Sequence, residues 1–179
     1  MLITLIGYRG TGKSTLAPRL ASRLNFDWID ADVELENSTG RSIREIFATD
    51  GESEFRRLER EVLLPLLKRD RLVLAAGGGA ILNEATRNDF RKAGPVVWLQ
   101  ASVETIAQRI LREGATVPHR PNLTTAGGID EIRTLVTQRE PLYQACATMT
   151  VASEGSPIDV LVQRIIAQLP PAYRQEVRS

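Results

Sequence analysis

A glycine-rich segment near the N-terminus, residues 7–15, constrains the fold of this chain more than any other feature. It reads Gly7, four residues, then Gly12-Lys13-Ser14, which is the spacing of a phosphate-binding P-loop. The glycines allow successive backbone N–H groups to point into one concave anion site. Lys13 is expected to contact the β- and γ-phosphates, and the Ser14 hydroxyl is expected to bind Mg²⁺. The segment therefore predicts a nucleotide site.

The sequence on either side of this loop supports the same interpretation. Before it, Leu2–Ile6 is an apolar, β-branched run that is typical of a buried strand. After it, leucines recur every four residues, at Leu16, Leu20 and Leu24, as they do in a packed helix. Because a strand, the loop and a helix follow in the order that a P-loop requires, a plain glycine-rich turn with a surface lysine is disfavoured.

Apolar strands and helical patterns alternate along the rest of the chain. The apolar runs that we predict as further strands are residues 26–30, 72–76, 95–99 and 147–151. Such strands, separated by helices, are typical of a parallel sheet covered on both faces, and right-handed crossovers make this a three-layer α/β sandwich. Ligands of these sheets bind at the carboxyl ends of the strands. The P-loop, Asp30 and the glycine triplet Gly77-Gly78-Gly79 are expected to meet there.

Composition and charge narrow the class of protein further. A chain of 179 residues allows one well-buried core and is short for two, so we expect one domain over residues 1–169 and a flexible, polar tail at residues 170–179. The formal net charge of +1 gives no field that would favour nucleic acid or membrane partners. Because the first strand begins at residue 2 and no apolar run approaches a membrane span, we expect a cytoplasmic protein without a signal peptide.

Two carboxylates, Asp30 and Asp32, follow the second predicted strand. Residues two apart in an extended segment point the same way, so both carboxylates can face the phosphate site. One could hold Mg²⁺ through water, and the other could accept a proton from an incoming hydroxyl. Alternatively, they could cap and flank the start of a helix near Val33. The two interpretations can hold together.

The glycine triplet and several arginines are further candidates for the site. Three glycines at a strand end make either a plain turn or a surface of bare backbone that a ligand can approach, and beside a P-loop we favour the second. Arg56 and Arg57 flank the apolar stripe of a helix, and for Arg57 we favour pairing with neighbouring glutamates. Arg139 is predicted to end a later helix, where it could interact with the helix dipole or form a carboxylate clamp with Arg56.

A stretch rich in Gly, Pro and Thr lies between Arg112 and Ile129. It is too long for a simple connection, so we predict a lid. Arg120, between two prolines, could reach over the phosphate during transfer, a role in which arginine contributes roughly 10³–10⁵ in rate.

Taken in order, these motifs resemble those of the shikimate kinase family. The set covers residues 2 to about 169 and consists of the P-loop, Asp30-x-Asp32, Gly40-Arg41-Ser42-Ile43, Phe55-Arg56-Arg57, the glycine triplet, Arg120-Pro121 and Arg139-x-Pro141-Leu142-Tyr143. The resemblance implies a fold like that of nucleoside monophosphate kinases, with strand order 2-3-1-4-5, a substrate-binding region at about residues 31–61 and a lid at about 113–127. It also implies ATP-dependent phosphorylation of the 3-hydroxyl of shikimate, on the route to chorismate and aromatic amino acids.

The resemblance further implies roles for individual residues. The ATP-binding residues would be Gly10, Thr11, Gly12, Lys13, Ser14, Thr15, Arg109, Arg120 and Pro157, with Arg109 stacking on adenine. Ser14 would ligate Mg²⁺ with Asp30 nearby. Asp32 would bind the reacting hydroxyl and act as the base, and Lys13 and Arg120 would complete the catalytic set. Shikimate would contact Asp32, Arg56, Gly78 and Arg139.

Two departures and two alternatives accompany this resemblance. Asn122-Leu123 stands where the family usually has two leucines, and residues 153–157 lack the arginine that some members place near adenine. The alternatives are another P-loop kinase, acting on gluconate or a nucleoside monophosphate, and a nucleotide-binding homologue without activity. No guanine-binding Asn/Thr-Lys-x-Asp motif is present, which disfavours a GTPase. We expect a monomer whose partners are ATP and shikimate.

Overall fold

The computed structural model describes residues 1–114 and 128–174 and contains a five-stranded parallel sheet. The strands are β1 (Leu2–Ile6), β2 (Asp27–Asp30), β3 (Leu72–Ala75), β4 (Val96–Gln100) and β5 (Met149–Ala152). Their order across the sheet is β2-β3-β1-β4-β5, which confirms the order that the resemblance implied. The ends of β2 to β5 differ from the prediction by one or two residues.

Helices cover both faces of this sheet, and a group of helices lies beyond one of its edges. They are α1 (Lys13–Leu24), α2 (Ala31–Thr39), α3 (Ile43–Thr49), α4 (Gly51–Leu66), α5 (Glu84–Ala93), α6 (Val103–Gly114), α7 (Gly128–Cys146), α8 (Ile158–Gln168) and α9 (Pro171–Arg174), with a 3₁₀ turn at Ala80–Leu82. None of the helices in the described part of the chain is long and apolar enough to cross a membrane.

Strand β1 is the centre of the fold because it pairs with β3 on one side and β4 on the other. Its alternate side chains enter two different cores, as the two-residue period of a strand requires. Ile3 and Leu5 pack with α1 and α8, whereas Leu2 and Ile6 pack with α4, α5 and α7. The three-layer sandwich predicted from the apolar strands is therefore confirmed.

A third, smaller core lies among helices α2, α3 and α4, beyond the edge of the sheet. It consists of Leu35, Ile43, Ile46 and Phe55. Helix α3 starts with a capping box, in which Ser42 and Glu45 satisfy each other's backbone N–H groups. This cluster supports the region predicted to bind the substrate.

Helix α7 differs from the prediction that a helix ends at Arg139. It continues through Pro141 to Cys146. A proline inside a helix removes one backbone hydrogen bond and costs about 3 kcal/mol. The last turns nevertheless bury Tyr143 and Cys146 completely or nearly so, and this apolar burial explains why the helix persists. The prediction that the helix ends at Arg139 was therefore wrong, and the position of Arg139 two turns before the C-terminus disfavours the dipole alternative for this residue.

The segment assigned to a flexible tail begins with helix α9, which packs on the core. The hydroxyl of Tyr173 donates to the carbonyl of Leu2 (3.3 Å), and its ring lies 6.4 Å from that of Phe26. The tail residues beyond Arg174 lie outside the described part of the chain.

Ile46 lies in the small core of helices α2, α3 and α4 and is 0% exposed. Truncating its side chain should therefore lower the stability of the fold substantially. We expect Ile46→Ala to lower the free energy of unfolding by about 2–5 kcal/mol, because the neighbouring helices cannot fully close the cavity. Urea denaturation followed by circular dichroism measures this loss. The control is Leu64→Ala on α4, where the side chain is 39% exposed and the expected loss is about 1 kcal/mol or less. Equal losses in the two variants would contradict the assignment of this core.

Candidate active site

The P-loop connects β1 to α1 at the centre of the sheet's carboxyl edge. Gly12 has φ +94°, a conformation that favours glycine, and α1 begins at the next residue. The Lys13 ammonium donates to the carbonyls of Gly7 (2.8 Å) and Tyr8 (3.0 Å). The lysine thus lies across its own loop, at a helix N-terminus whose partial positive charge also favours phosphate.

Ser14 and Asp30 meet beside this loop. The Ser14 hydroxyl donates to Asp30 Oδ2 (2.5 Å), and Asp30 Oδ1 accepts the backbone N–H of Asp32 (3.0 Å). A hydroxyl and a carboxylate are oxygen ligands that suit Mg²⁺. In residues 1–114 and 128–174, no group of three or more acidic, histidine or cysteine side chains could hold a metal ion. One hydroxyl and one carboxylate match the one or two protein ligands that Mg²⁺ takes when nucleotide phosphates supply others.

Asp30 and Asp32 both line one cavity of about 280 Å³, together with Lys13 and Ser14. The two carboxylates come together for a different reason from the one predicted. Asp30 is the N-cap of α2, and Asp32 lies in the first helical turn, so the segment is not extended. The capping interpretation is confirmed, and it coexists with a position in the cavity.

Arg139 and Arg56 both lie against the glycine triplet at the end of β3. Arg139 is 7% exposed and donates to the Gly78 carbonyl (3.4 Å). A Cβ added at Gly79 would overlap the guanidinium of Arg56. The triplet therefore makes room for an arginine at Gly79, whereas Gly78 itself lines the 280 Å³ cavity.

Arg56 is held by two glutamates of its own helix. Its guanidinium donates to Glu59 Oε2 (2.8 Å) and to Glu52 Oε1 (3.1 and 3.3 Å). Burial alone lowers the pKa of Arg56, but the charges and hydrogen bonds of the two glutamates outweigh it, and the net shift is upward. Glu59 is buried and Glu52 is half exposed. Arg57 pairs with Glu54 and Glu61, which confirms the interpretation favoured for it.

Arg109 joins the P-loop to the segment after β5. Its guanidinium donates to the carbonyls of Gly10 (3.1 Å) and Ser153 (3.0 Å). Gly10 and Ser153 line a cavity of about 350 Å³ together with Thr15. Pro157, in the segment that follows β5, is the N-cap of α8. Arg109 thus forms part of the wall of this cavity and is held there by hydrogen bonds.

Arg9 and Tyr8 line cavities at this edge of the sheet, and the sequence patterns did not single them out. Arg9 is half-buried and lines both the 280 Å³ cavity and a neighbouring one of about 420 Å³. The ring of Tyr8 lies under the Arg139 guanidinium at 5.6 Å. A basic and an aromatic residue at the variable positions of the P-loop were the signal available in the sequence. Arg120 and residues 115–127 of the predicted lid lie outside the described residues, whereas residues 113 and 114 end helix α6. The roles of Arg120 and the lid stay predictions.

The parallel sheet, the P-loop and the paired acidic and basic residues at its carboxyl edge define a P-loop kinase. The family model described as shikimate kinase matches residues 9–170. Shikimate kinase of Rhodopirellula baltica is 37% identical over 171 residues, 96% of this chain and 91% of that protein. Shikimate kinase of Nitrobacter winogradskyi is 41% identical over 167 residues, 93% of this chain and 76% of that protein. The chain therefore belongs to the shikimate kinase family.

Solved structures agree with this assignment. Shikimate kinase from Acinetobacter baumannii, solved in complex with shikimate, superposes with a TM-score of 0.86 at 37% identity, over 92% of this chain and 90% of that chain. A gluconokinase from Sinorhizobium meliloti is 16% identical with a TM-score of 0.53, over 97% of this chain and 93% of that chain, and shares the fold alone. The chain is an ATP-dependent phosphotransferase that acts on an alcohol group of a small molecule.

The Arg109 bridge predicts a selective effect on the nucleotide. We expect Arg109→Met to raise KM for ATP about tenfold or more, because both the P-loop and the segment after β5 lose a hydrogen bond to a charged group. Initial-rate kinetics at saturating acceptor measure this change. The control is Arg164→Met on α8, an exposed arginine that should leave KM for ATP unchanged. A similar KM in both variants would exclude Arg109 from the nucleotide site.

Proposed function

We propose that this chain transfers the γ-phosphoryl group of ATP to the 3-hydroxyl of shikimate and releases ADP and shikimate 3-phosphate, on the route to chorismate. One observation carries the proposal beyond family membership. The P-loop with Lys13 meets Asp32, Gly78 and the two triplet-bound arginines at one edge of the sheet. A donor site for ATP therefore adjoins groups suited to an alcohol that also carries a carboxylate.

In the proposed mechanism, phosphoryl transfer depends on alignment and on charge stabilisation rather than on a covalent enzyme intermediate. ATP lies in the P-loop, with its phosphates against residues 10–15 and Lys13. Asp32 orients the acceptor hydroxyl and takes its proton as the oxygen attacks the γ-phosphorus. Arg120, from the lid, would stabilise the charge on the transferred group.

Ser14 and Asp30 would hold Mg²⁺ in this mechanism. The bound ion supplies neutralisation of the charge on the β- and γ-phosphates. The hydrogen bond between the two side chains keeps both oxygens at one side of the cavity, where they would be available to the ion.

Arg56 and Arg139 would bind the shikimate carboxylate, because a planar guanidinium matches a carboxylate in geometry and charge. Glu52 and Glu59 hold Arg56 differently: the side chain of Glu52 is 56% exposed and that of Glu59 is 6% exposed. We propose that the substrate carboxylate replaces Glu52, whose release into water costs little, while buried Glu59 keeps Arg56 in place. Gly78 contributes its backbone to the acceptor site.

The remaining features of the proposal concern the protein as a whole. We propose a monomeric, cytoplasmic enzyme with no nucleic acid or membrane partner, in which one domain comprises residues 1–169 and the packed helix α9. The near-neutral net charge of +1 gives no field that would favour nucleic acid or membrane partners.

An assay of ADP release across candidate acceptors tests the proposed function. With Mg-ATP, shikimate should give rapid ADP release, whereas gluconate and AMP should give only the background rate, and EDTA should abolish the reaction. Phosphorylation of gluconate or of a nucleoside monophosphate in place of shikimate would overturn the substrate assignment. No ADP release with any acceptor would instead indicate a homologue that only binds nucleotide.

The assignment of the base predicts the effect of Asp32→Asn. We expect kcat to fall by about 10²–10⁴, because the amide cannot accept the hydroxyl proton, while the dissociation constant for ATP stays unchanged. Steady-state kinetics and calorimetric titration with ATP measure the two quantities. Glu34→Gln, in the same first turn of α2, is the control and should keep normal turnover. Normal turnover in Asp32→Asn would remove Asp32 from the role of base.

A further inference from the structure

Tyr143 lies beneath the glycine triplet and is 2% exposed. Its hydroxyl donates to the Gly78 carbonyl (2.5 Å). Its ring stacks on Trp98 with centroids 5.7 Å apart and planes 17° apart. A stacked ring with little freedom to rotate thus aims one hydrogen bond at the backbone of the acceptor site. No role in the proposed mechanism accounts for this bond.

The Gly78 carbonyl differs from those of its neighbours in the triplet. The carbonyls of Gly77 and Gly79 accept backbone N–H groups of the following 3₁₀ turn, from Ala80 (3.1 Å) and Leu82 (3.0 Å). The Gly78 carbonyl instead accepts side-chain donors from α7. The orientation of the peptide between Gly78 and Gly79 is therefore set by α7 rather than by the local turn.

Two donors of α7 reach this carbonyl, and they differ in strength. Arg139 and Tyr143 are four residues apart on one helix face. The Arg139 bond measures 3.4 Å, which is long for N–H···O, whereas the Tyr143 bond is short for O–H···O. Tyr143 is thus the donor that fixes the peptide. Within residues 1–114 and 128–174, the Gly78 carbonyl is the one hydrogen-bond acceptor of the Arg139 side chain, so most of its donor groups can serve a ligand.

We propose that Tyr143 is a positioning residue for the acceptor carboxylate site, because its hydroxyl fixes the peptide against which Arg139 and Arg56 both lie. Arg139 contacts this peptide through the Gly78 carbonyl, and Arg56 covers it at Gly79, where no side chain intervenes. A rotation of the peptide would take its carbonyl away from Arg139 and change the backbone surface on which Arg56 packs. The proposal rests on the proposed function, since it assigns the two arginines to the carboxylate of shikimate.

Tyr143→Phe tests this role while preserving the ring and its stack on Trp98. We expect KM for shikimate to rise about tenfold, because the peptide loses the hydrogen bond that orients it, while KM for ATP stays within about twofold, the expected scatter for a residue outside the nucleotide site. Because KM does not depend on the concentration of active enzyme, partial unfolding of the variant lowers the apparent kcat but leaves this comparison intact.

Tyr173→Phe provides a matched control. The Tyr173 hydroxyl also donates to a backbone carbonyl, that of Leu2 (3.3 Å), and its side chain packs against the core cluster between the sheet and helices α1 and α8. The Tyr173→Phe variant should leave KM for shikimate and KM for ATP unchanged. An unchanged KM for shikimate in Tyr143→Phe, an equal rise in both KM values, or the same rise in Tyr173→Phe would overturn the proposal. Wild-type protein that releases no ADP with shikimate would overturn the proposed function first, and this role with it.

Discussion

The central position of β1 is the constraint on which the rest of the structure depends. Because β1 pairs with both β3 and β4, the P-loop emerges between the ends of two neighbouring strands. A Cβ added at Gly7 would lie 2.5 Å from the carbonyl of Leu99 in β4, so the loop leaves the sheet in direct contact with the next strand. On the other side, β3 ends in the glycine triplet. The register of three strands therefore brings the donor and acceptor halves of the site together.

Carbonyl and carboxylate oxygens of the protein hold the basic side chains of the site in place. Lys13 is held by two loop carbonyls, Arg109 by the carbonyls of Gly10 and Ser153, and Arg139 by the Gly78 carbonyl. Arg56 is held by carboxylates. A long basic side chain loses conformational entropy when it is ordered. Because these side chains are already ordered in the folded protein, this entropy is lost on folding and does not weaken ligand binding. Partners near the surface, such as Glu52, can then yield to a ligand with little loss.

The sequence predicts the sheet and the P-loop well because both depend on local patterns. Apolar strands that alternate with helices specify a parallel sheet, and the loop motif is contiguous. The remaining features depend on tertiary contacts that no local pattern encodes. Helix α7 continues past Pro141 because its last turns are buried, and Gly79 accommodates an arginine from α4. Each of these requires knowledge of which distant element packs nearby.

Direct contact between the P-loop and the acceptor elements accounts for how such a site can align its substrates. Arg139 lies over the ring of Tyr8 in the loop, and a Cβ added at Gly78 would lie 3.2 Å from the backbone nitrogen of Arg9. At Gly78, the backbone of the triplet thus packs directly on the backbone of the P-loop, with no side chain between them. Phosphoryl transfer depends mainly on in-line placement of the attacking oxygen. An acceptor bound by α7 and the triplet, as proposed, would consequently be positioned relative to the phosphates by the packing of the sheet edge itself.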